Sequence, residues 1–210
     1  MARKAPKKGI EGQAIDAAMA LAAERGWPNI GMIDIAERAK VPVVELIGHF
    51  PSKSAILSAL FSQVDDAMLA DVPKRYGDLG DGARDRLFEL LMARFDALAP
   101  YKEGVASVLT SCSSQPLDAI CVLPRAGRSM ALTLELAGIS TSGVSGALRV
   151  KGLLIAYGDA FRTWLGDDSQ DLTQTMAALD RNLRRAEKLA GLCWPGYRRS
   201  TTEETPSSEA

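Results

Sequence analysis

The sequence predicts an all-α protein. Apolar residues recur at helical spacing in almost every segment of the 210-residue chain, and no segment reads convincingly as a strand. Gly, Pro and Asp interrupt the helical pattern most densely in DVPKRYGDLGDG, residues 71–82, which reads as a turn region between two parts. We therefore expect about nine helices, with a short N-terminal helical domain and a longer helical body.

Charge in this chain is local rather than global. The formal net charge is −1, so no overall field attracts the protein to nucleic acid or to a membrane. The first nine residues nevertheless form a basic arm without acids, and it contains Arg3, Lys4, Lys7 and Lys8. Arms of this kind can reach phosphates or a minor groove, and they can also be plain solvated termini.

The remaining composition fits an ordinary protein of the cytoplasm. Cys112, Cys121 and Cys193 lack the spacing of metal ligands, and their odd number favours reduced thiols. No apolar run reaches the roughly 18–20 residues that span a bilayer, and the basic start is not followed by a secretory signal pattern. We expect no metal and no resident cofactor.

The N-terminal pattern is that of a helix-turn-helix. Helices of about 15, 8 and 7 residues precede a long fourth helix that starts at Ser52. The second, MIDIAERA, carries Ile33, Ile35 and Ala36 on its apolar side, and the tight connection AKV leads into VVELIGHF, which ends at Pro51. Such spacing places a support helix before a short helix able to enter a major groove. The apolar contacts between the two helices are assigned to Ile35, Ala36, Val41 and Leu46.

These residues carry a resemblance to a known family. The segment GWPNIGMIDIAERAKVPVVELIGHFPSKSAILSAL is similar to the DNA-binding domain of TetR-family regulators, above all in DIAERA and in HFPSK followed by AIL. The resemblance covers roughly residues 10–60; the rest matches only in kind, as an all-helical part for ligand binding and dimerisation. It implies that Phe50 completes the core, that Pro51 forces the turn, and that Ser52 and Lys53 open the fourth helix beside the DNA backbone.

Elementary electrostatics supports a phosphate contact at this point. The start of a helix offers N–H groups and a partial positive charge, which a lysine completes as an anion site. His49 can add a contact to the same backbone. The residues that we assign to DNA contact are Lys40, Pro42, Val43, Val44, Ile47, His49, Ser52 and Lys53.

The sequence also departs from the family pattern. Gly31, Lys40, Pro42 and Ile47 stand where the family usually has threonine, glycine, serine or threonine, and tyrosine. Lys40 must accept a turn conformation that suits glycine, or adopt another turn. If Leu46 and Phe50 face the core, the outward face of the reading helix is apolar, consisting of Val43, Val44, Ile47 and Gly48. It lacks the Arg, Asn or Gln of bidentate base contacts.

Two functions remain open at this point. The first is a DNA-binding transcriptional regulator, a repressor that binds double-stranded operator DNA as a homodimer and responds to an apolar small-molecule effector. The second is a TetR-fold protein with a degenerate helix-turn-helix that binds a lipid, a quinone-like molecule or a protein partner and not DNA. The segment TWLGDDSQDLTQTMAALDRNLRRAE is weakly similar to the end of the ubiquinone-biosynthesis proteins that share this fold.

The C-terminal body carries two further predicted sites. Two helices, roughly 147–165 and 169–192, are expected to form a four-helix bundle with a second copy. We assign the dimer interface to Leu154, Tyr157, Phe161, Leu172, Met176, Leu179 and Leu183. The central helices are rich in apolar residues and are expected to enclose the effector. The assigned pocket residues are Met92, Phe95, Met130 and Leu134.

Catalysis is not expected. The sole histidine, His49, lies in the helix-turn-helix segment, and no glycine-rich phosphate loop is present. Asp167, Asp168 and Asp171 read as caps of the last helix. The predicted organisation is a flexible basic arm at 1–9, a DNA-binding domain at 10–72, a ligand-binding and dimerisation domain at 73–196, and a disordered tail at 197–210.

Overall fold

The predicted all-α fold is confirmed. The computed structural model describes residues 9–75, 82–114, 116–169 and 171–193, and these ranges contain nine α-helices, two short 3-10 turns and no strand. The helices are α1 (Ile10–Arg25), α2 (Met32–Ala39), α3 (Val43–His49), α4 (Lys53–Arg75), α5 (Ala83–Leu98), α6 (Lys102–Ser114), α7 (Pro116–Leu136), α8 (Gly143–Leu165) and α9 (Thr173–Cys193). The basic arm and the polar tail lie outside the described residues, apart from Gly9.

The proline in the middle of the chain does not break its helix. A proline at position 124 predicts a break or kink, yet Pro124 lies inside α7, which continues on both sides of it. A proline removes one helical hydrogen bond, and α7 compensates through its packing against α4 and α8. Within the described residues, no helix combines the length and apolarity needed to cross a bilayer.

One continuous core joins the N-terminal helices to the body. In the body, α4 packs against α5 and α7, and α8 packs against α9. The N-terminal helices attach to the body mainly where α1 crosses α6. At that crossing, a Cβ on Gly104 would lie 2.4 Å from the carbonyl oxygen of Met19, so only glycine lets the two helices approach this closely.

The turn after α1 strengthens the same junction. Gly26 ends α1 with φ +86, a conformation that glycine adopts without strain. Trp27, which follows, is buried, and its backbone N–H donates to the hydroxyl of Ser107 on α6 at 2.8 Å. Tyr101, just before α6, donates its hydroxyl to the Asp16 carboxylate on α1 at 2.7 Å. The α1–α6 junction therefore combines close packing with directional bonds.

Asp167 caps α9 from outside the helix. Leu172, which precedes α9, has φ +48 and no side-chain acceptor. The Asp167 carboxylate instead accepts from the Thr175 N–H at 2.9 Å, the Thr175 hydroxyl at 2.7 Å and the Ser169 N–H at 3.1 Å. The hydroxyl of Ser169, followed by the groups of Thr175, holds the pKa of Asp167 well below its ordinary value. The predicted capping role of this acidic loop thus falls on Asp167.

We expect Asp167→Asn to lower the free energy of unfolding by about 1–2 kcal/mol at neutral pH, the usual effect of losing a helix cap. Because the folded-state pKa of Asp167 is lowered, its contribution is present above the unfolded-state pKa of about 4 and is lost as the pH falls further. The difference between variant and parent should therefore shrink on acidification from about pH 5 to about pH 2. Urea titrations across this range measure it.

Asp168→Asn is the matched control for this experiment. Its side chain is 98% exposed, so the change should leave the unfolding midpoint in place. A difference between Asp167→Asn and the parent that stays constant with pH would contradict the assigned role of the carboxylate charge.

Candidate functional site

The turn between α2 and α3 is built on Lys40. This residue has φ 57 and ψ 41, the left-handed conformation that ends helices. Its N–H donates to the Glu37 carbonyl at 3.2 Å, and the Val41 N–H donates to the Ala36 carbonyl at 3.0 Å. Lys40 thus adopts the glycine-type turn despite its side chain, which remains exposed beside the start of α3.

The starts of α2 and α3 lack the usual side-chain caps. Gly31 precedes α2 and has no hydroxyl to offer; the Asp34 carboxylate accepts from the Gly31 N–H at 2.7 Å and supplies half of a capping box. Pro42 precedes α3, where its fixed φ suits a helix start, and its carbonyl accepts from the Leu46 N–H at 3.0 Å. Both helices are therefore set by backbone geometry and core packing.

The residues assigned to the core of the motif all lie in the interior. They are Ile35, Ala36, Val41, Leu46 and Phe50. The Phe50 N–H donates to the Leu46 carbonyl at 2.7 Å and ends α3, so that Pro51 follows outside the helix. Ile33, predicted on the apolar side of α2, is largely exposed. Within this eight-residue helix only Ile35 and Ala36 are buried, so the buried face is narrower than predicted.

The outward face of α3 is apolar. Val44 is 81% exposed and Ile47 is 49% exposed, while Val43 and Gly48 also lie on the surface. Glu45 is the exposed hydrogen-bonding side chain within the first turn of this helix. This is the solvent-facing side of the second helix of the motif. Its aliphatic side chains suit contact with thymine methyl groups.

Lys53 lies differently from the expectation. Its ammonium group donates to the Trp27 carbonyl at 2.9 Å and to the Ile30 carbonyl at 2.8 Å, and it lies 5.0 Å from the centroid of the Trp27 ring. The side chain therefore ties the start of α4 to the turn before α2 instead of extending toward a phosphate. Ser52 and His49 remain exposed, and the Ser52 hydroxyl accepts from the Ala55 N–H at 3.2 Å.

A cluster of charged side chains lies inside the body. The Asp65 carboxylate of α4 accepts from Arg94 of α5 at 2.5 Å and from Arg125 of α7 at 2.9 Å. Ser129 donates to the same carboxylate and accepts from Arg94 at 3.0 Å. The Arg94 guanidinium lies 5.8 Å from the ring centroid of Tyr157 on α8. Four helices thus meet at one polar cluster, which we call the Asp65 cluster: Asp65, Arg94, Arg125, Ser129 and Tyr157.

The residues assigned to an effector pocket pack close to this cluster. Met92, Phe95, Met130 and Leu134 are all buried in the shared core. Phe95 stacks on Tyr157 with ring centroids 5.0 Å apart. None of the four lines the groove of about 680 Å³ that opens between α1, α4 and α7. That groove is bordered by Gly12, Ile15, Ser58, Ala59, Ser62, Gln63, Pro124 and the charged residues Glu11, Asp66, Arg125 and Arg128.

The residues assigned to dimerisation divide into two groups. Tyr157, Leu179 and Leu183 are buried within the single chain, because α8 and α9 already pack against each other and against the core, so these three are not surface positions. Leu154, Phe161, Leu172 and Met176 are half-buried. The exposed apolar stripe of α8 runs instead through Val144, Leu148 and Ile155, which the sequence reasoning did not single out.

A buried helix-turn-helix core, an exposed second helix and an attached helical body are the features of the helix-turn-helix class of DNA-binding proteins. Residues 14–60 match the family described as bacterial regulatory proteins, tetR family. The N-terminal domain is therefore similar to the DNA-binding domain of this family, and the chain is a TetR-like DNA-binding transcriptional regulator.

Solved structures extend the likeness to the body. A TetR transcriptional regulator from Nitrosomonas europaea is 25% identical, with a TM-score of 0.69 over 86% of this chain and 99% of that one. A TetR and a TetR-like transcriptional regulator from Rhodococcus sp. RHA1 share the fold at 17% and 21% identity, with TM-scores of 0.59 and 0.55. The similarity covers 94% and 100% of their lengths and 84% and 90% of this chain. The comparison with curated proteins found no match.

Sequence reasoning missed the Asp65 cluster, although a signal was present. Leu87, Leu91, Arg94 and Leu98 step by helical spacing, so Arg94 occupies an interior position of an otherwise apolar stripe. Asp65 likewise lies at helical spacing between the apolar residues Phe61 and Met68. A charged residue at an interior position of such a stripe predicts a buried partner of opposite charge.

We expect Lys53→Met to lower the free energy of unfolding by about 1–3 kcal/mol, because two carbonyl groups lose a charged donor while the aliphatic stem still covers Trp27. Lys40→Met is the matched control, since Lys40 is exposed beside the same surface. It should leave the unfolding midpoint unchanged and weaken binding to DNA of any sequence. If Lys53→Met keeps the midpoint and loses DNA affinity, the side chain contacts phosphate, as its position in the sequence predicts.

Proposed function

We propose that the chain binds operator DNA as a symmetric dimer, acts as a repressor, and changes its DNA affinity when an apolar small molecule occupies the helical body. The observation that carries the proposal is the exposed second helix of the motif, α3, whose core side is buried and whose outer side is open to solvent. A helix held in this way fits a major groove of about 12 Å width.

Affinity and sequence preference come from different residues in this proposal. Phosphates are contacted by Lys40, His49, the start of α4 at Ser52 and the basic arm, and these contacts are insensitive to sequence. Val43, Val44 and Ile47 select bases by apolar contact with thymine methyl groups. Because Lys53 is bonded to the protein's own carbonyl groups, the arm contributes a larger share of the phosphate contacts than the sequence alone suggests.

The α1–α6 junction supports communication between the body and α3. Gly104 lies against the backbone of α1, and Ser107 and Tyr101 bond to Trp27 and Asp16. A shift of α6 cannot be absorbed at Gly104 by side-chain movement, so it displaces α1 and with it the two helices of the motif. An effector that changes the position of α6 thereby changes the spacing of the two reading helices in a dimer.

We assign the dimer contact to the outer face of α8 together with the half-buried residues of α9. Ile155 is 74% exposed, and Leu148 and Val144 extend the same stripe at helical spacing. Two copies of the α8–α9 pair complete a four-helix bundle and remove this stripe from water. The stripe replaces Tyr157, Leu179 and Leu183 of the sequence-based assignment.

Selection of random duplexes at low salt tests DNA binding. The proposal expects an enriched, roughly palindromic motif, because paired reading helices require spaced half-sites. Affinity should fall steeply with salt, and removal of residues 2–8 should make the slope shallower by about 0.9 for each phosphate that the arm neutralises. Ile47→Ala and Val44→Ala should change the preferred bases, whereas Lys40→Met should weaken all duplexes alike.

The alternative function has its own outcome in the same experiment. If no motif is enriched and the purified protein carries a lipid or quinone, the exposed apolar face of α3 is a contact for another protein or a membrane. The exposure of Val44 and Ile47 is the observation that supports this second function, a TetR-fold protein that binds a lipid or a protein partner and not DNA.

We expect Ile155→Asp to convert the dimer to a monomer without loss of helicity, since the side chain is exposed in the single chain. Sedimentation and far-UV circular dichroism measure the two properties. Leu109→Asp is the control, because Leu109 is an exposed apolar residue on α6 rather than α8, and that variant should remain dimeric. A dimer that survives Ile155→Asp would contradict the assigned face.

A further inference from the structure

The Asp65 cluster contains more positive than negative charge. Arg94 is 1% exposed and Arg125 is largely covered, and both pair with the single carboxylate of Asp65. No other acidic side chain bonds to this cluster among the described residues. Two guanidinium groups share one carboxylate, which leaves an excess of one positive charge at the buried end of the groove, where partial burial makes a balancing anion favourable.

The same cluster contains more donors than acceptors. The Nε atoms of Arg94 and Arg125 and the hydroxyl of Tyr157 are buried, and within the described part of the chain none of the three has a hydrogen-bond partner. Burial raises the pKa of the Tyr157 hydroxyl, so it keeps its proton and remains a donor at neutral pH. Buried donors without an acceptor are rare in folded proteins, and their presence here indicates that an acceptor from outside the chain completes the cluster.

The groove between α1, α4 and α7 reaches the edge of the cluster at Arg125. Arg125 and Ser62 border the groove between α1, α4 and α7, and Arg125 donates both to Ser62 at 3.1 Å and to Asp65 at 2.9 Å. The Arg125 guanidinium therefore lies between the groove and the buried carboxylate. Beyond Arg94, the cluster adjoins a set of packed aromatic rings, Phe95, Tyr157, Phe161 and Trp164, with centroids 5.0–6.1 Å apart.

We propose that the effector is an organic acid: its carboxylate binds Arg94 and Arg125 and accepts from the Tyr157 hydroxyl, and its apolar part packs against the aromatic rings. This inference rests on the proposed function and specifies the chemistry of its effector. One added carboxylate balances the excess positive charge and supplies acceptors for the three donors. Fatty acids and arylalkyl acids share this chemistry.

The position of Asp65 links such a ligand to DNA binding. An incoming carboxylate shares Arg94 and Arg125 with Asp65, so its arrival changes how the two guanidinium groups hold the Asp65 carboxylate. Asp65 lies on α4, whose first residue, Lys53, bonds to the turn before α2. At about 1.5 Å per residue, roughly 18 Å of continuous helix separate the two residues, so a shift of α4 at the cluster reaches the motif directly.

The test measures binding of decanoate and phenylbutyrate to the full chain by calorimetry, beside phenylbutanamide, which has the same body without the charge. The proposal expects at least one acid to bind and phenylbutanamide to bind more weakly than phenylbutyrate or not at all. Tyr157→Phe should weaken binding of the acid by about tenfold, as expected when a hydrogen bond to a charged acceptor is lost. The two acids distinguish an acyl from an aryl effector.

Tyr157→Phe also has a signature that a merely structural residue lacks. Because the hydroxyl has no partner in the unliganded chain, its removal should leave the thermal midpoint unchanged or raise it while ligand binding falls. Arg181→Gln is the control, since Arg181 is an exposed arginine of α9 outside both the groove and the cluster, and this variant should bind the acids as the parent does.

Three results would overturn the inference: neither acid binds, phenylbutyrate binds but phenylbutanamide binds just as tightly, or Tyr157→Phe binds the acid as the parent does. Operator selection with ligand-free protein is an independent measurement. An enriched operator without acid binding rejects this inference alone, whereas acid binding without any operator rejects the regulator function and leaves the carboxylate site in place.

Discussion

The contact between Gly104 and the backbone of α1 is the constraint on which the arrangement of the two parts depends. Helices rarely approach so closely that a Cβ would clash with the backbone of the neighbouring helix, and here a Cβ on Gly104 would lie 2.4 Å from the carbonyl oxygen of Met19. The bonds from Trp27 to Ser107 and from Tyr101 to Asp16 then fix the angle at which α1 leaves this contact. The reading helix is attached to α1 and α2, so its orientation follows that of α6.

The two functional regions invert the usual distribution of side chains. The body buries the guanidinium group of Arg94 and the carboxylate of Asp65, with Arg125 half-buried beside them, whereas α3 exposes valine and isoleucine. Each inversion lowers the stability of the isolated chain: buried charges lose hydration, and exposed aliphatic groups order water. Such features are often retained where another molecule completes them, and our two proposals place the carboxylate of the effector at the first and DNA at the second.

Much of the fold was accessible from the sequence because it depends on local patterns. Helical spacing, Gly26 and Pro51 located the motif, and the apolar periodicity located its core at Ile35, Leu46 and Phe50. Orientation was harder to predict. Lys53 reads as a phosphate contact in sequence, but the carbonyl groups that attract it belong to Trp27 and Ile30, more than twenty positions away. The same holds for Tyr157, since periodicity cannot tell which neighbour a buried face meets.

The exposed aliphatic surface of α3 has a thermodynamic consequence. When valine and isoleucine side chains meet thymine methyl groups, both surfaces lose ordered water, and burial of apolar area lowers the heat capacity of the complex. Recognition by this helix would then gain its selectivity mainly from entropy near room temperature, and discrimination between related duplexes would weaken on cooling. A regulator that reads bases through polar groups does not lose selectivity on cooling by this route, so temperature itself becomes a variable in how faithfully this protein distinguishes one DNA site from another.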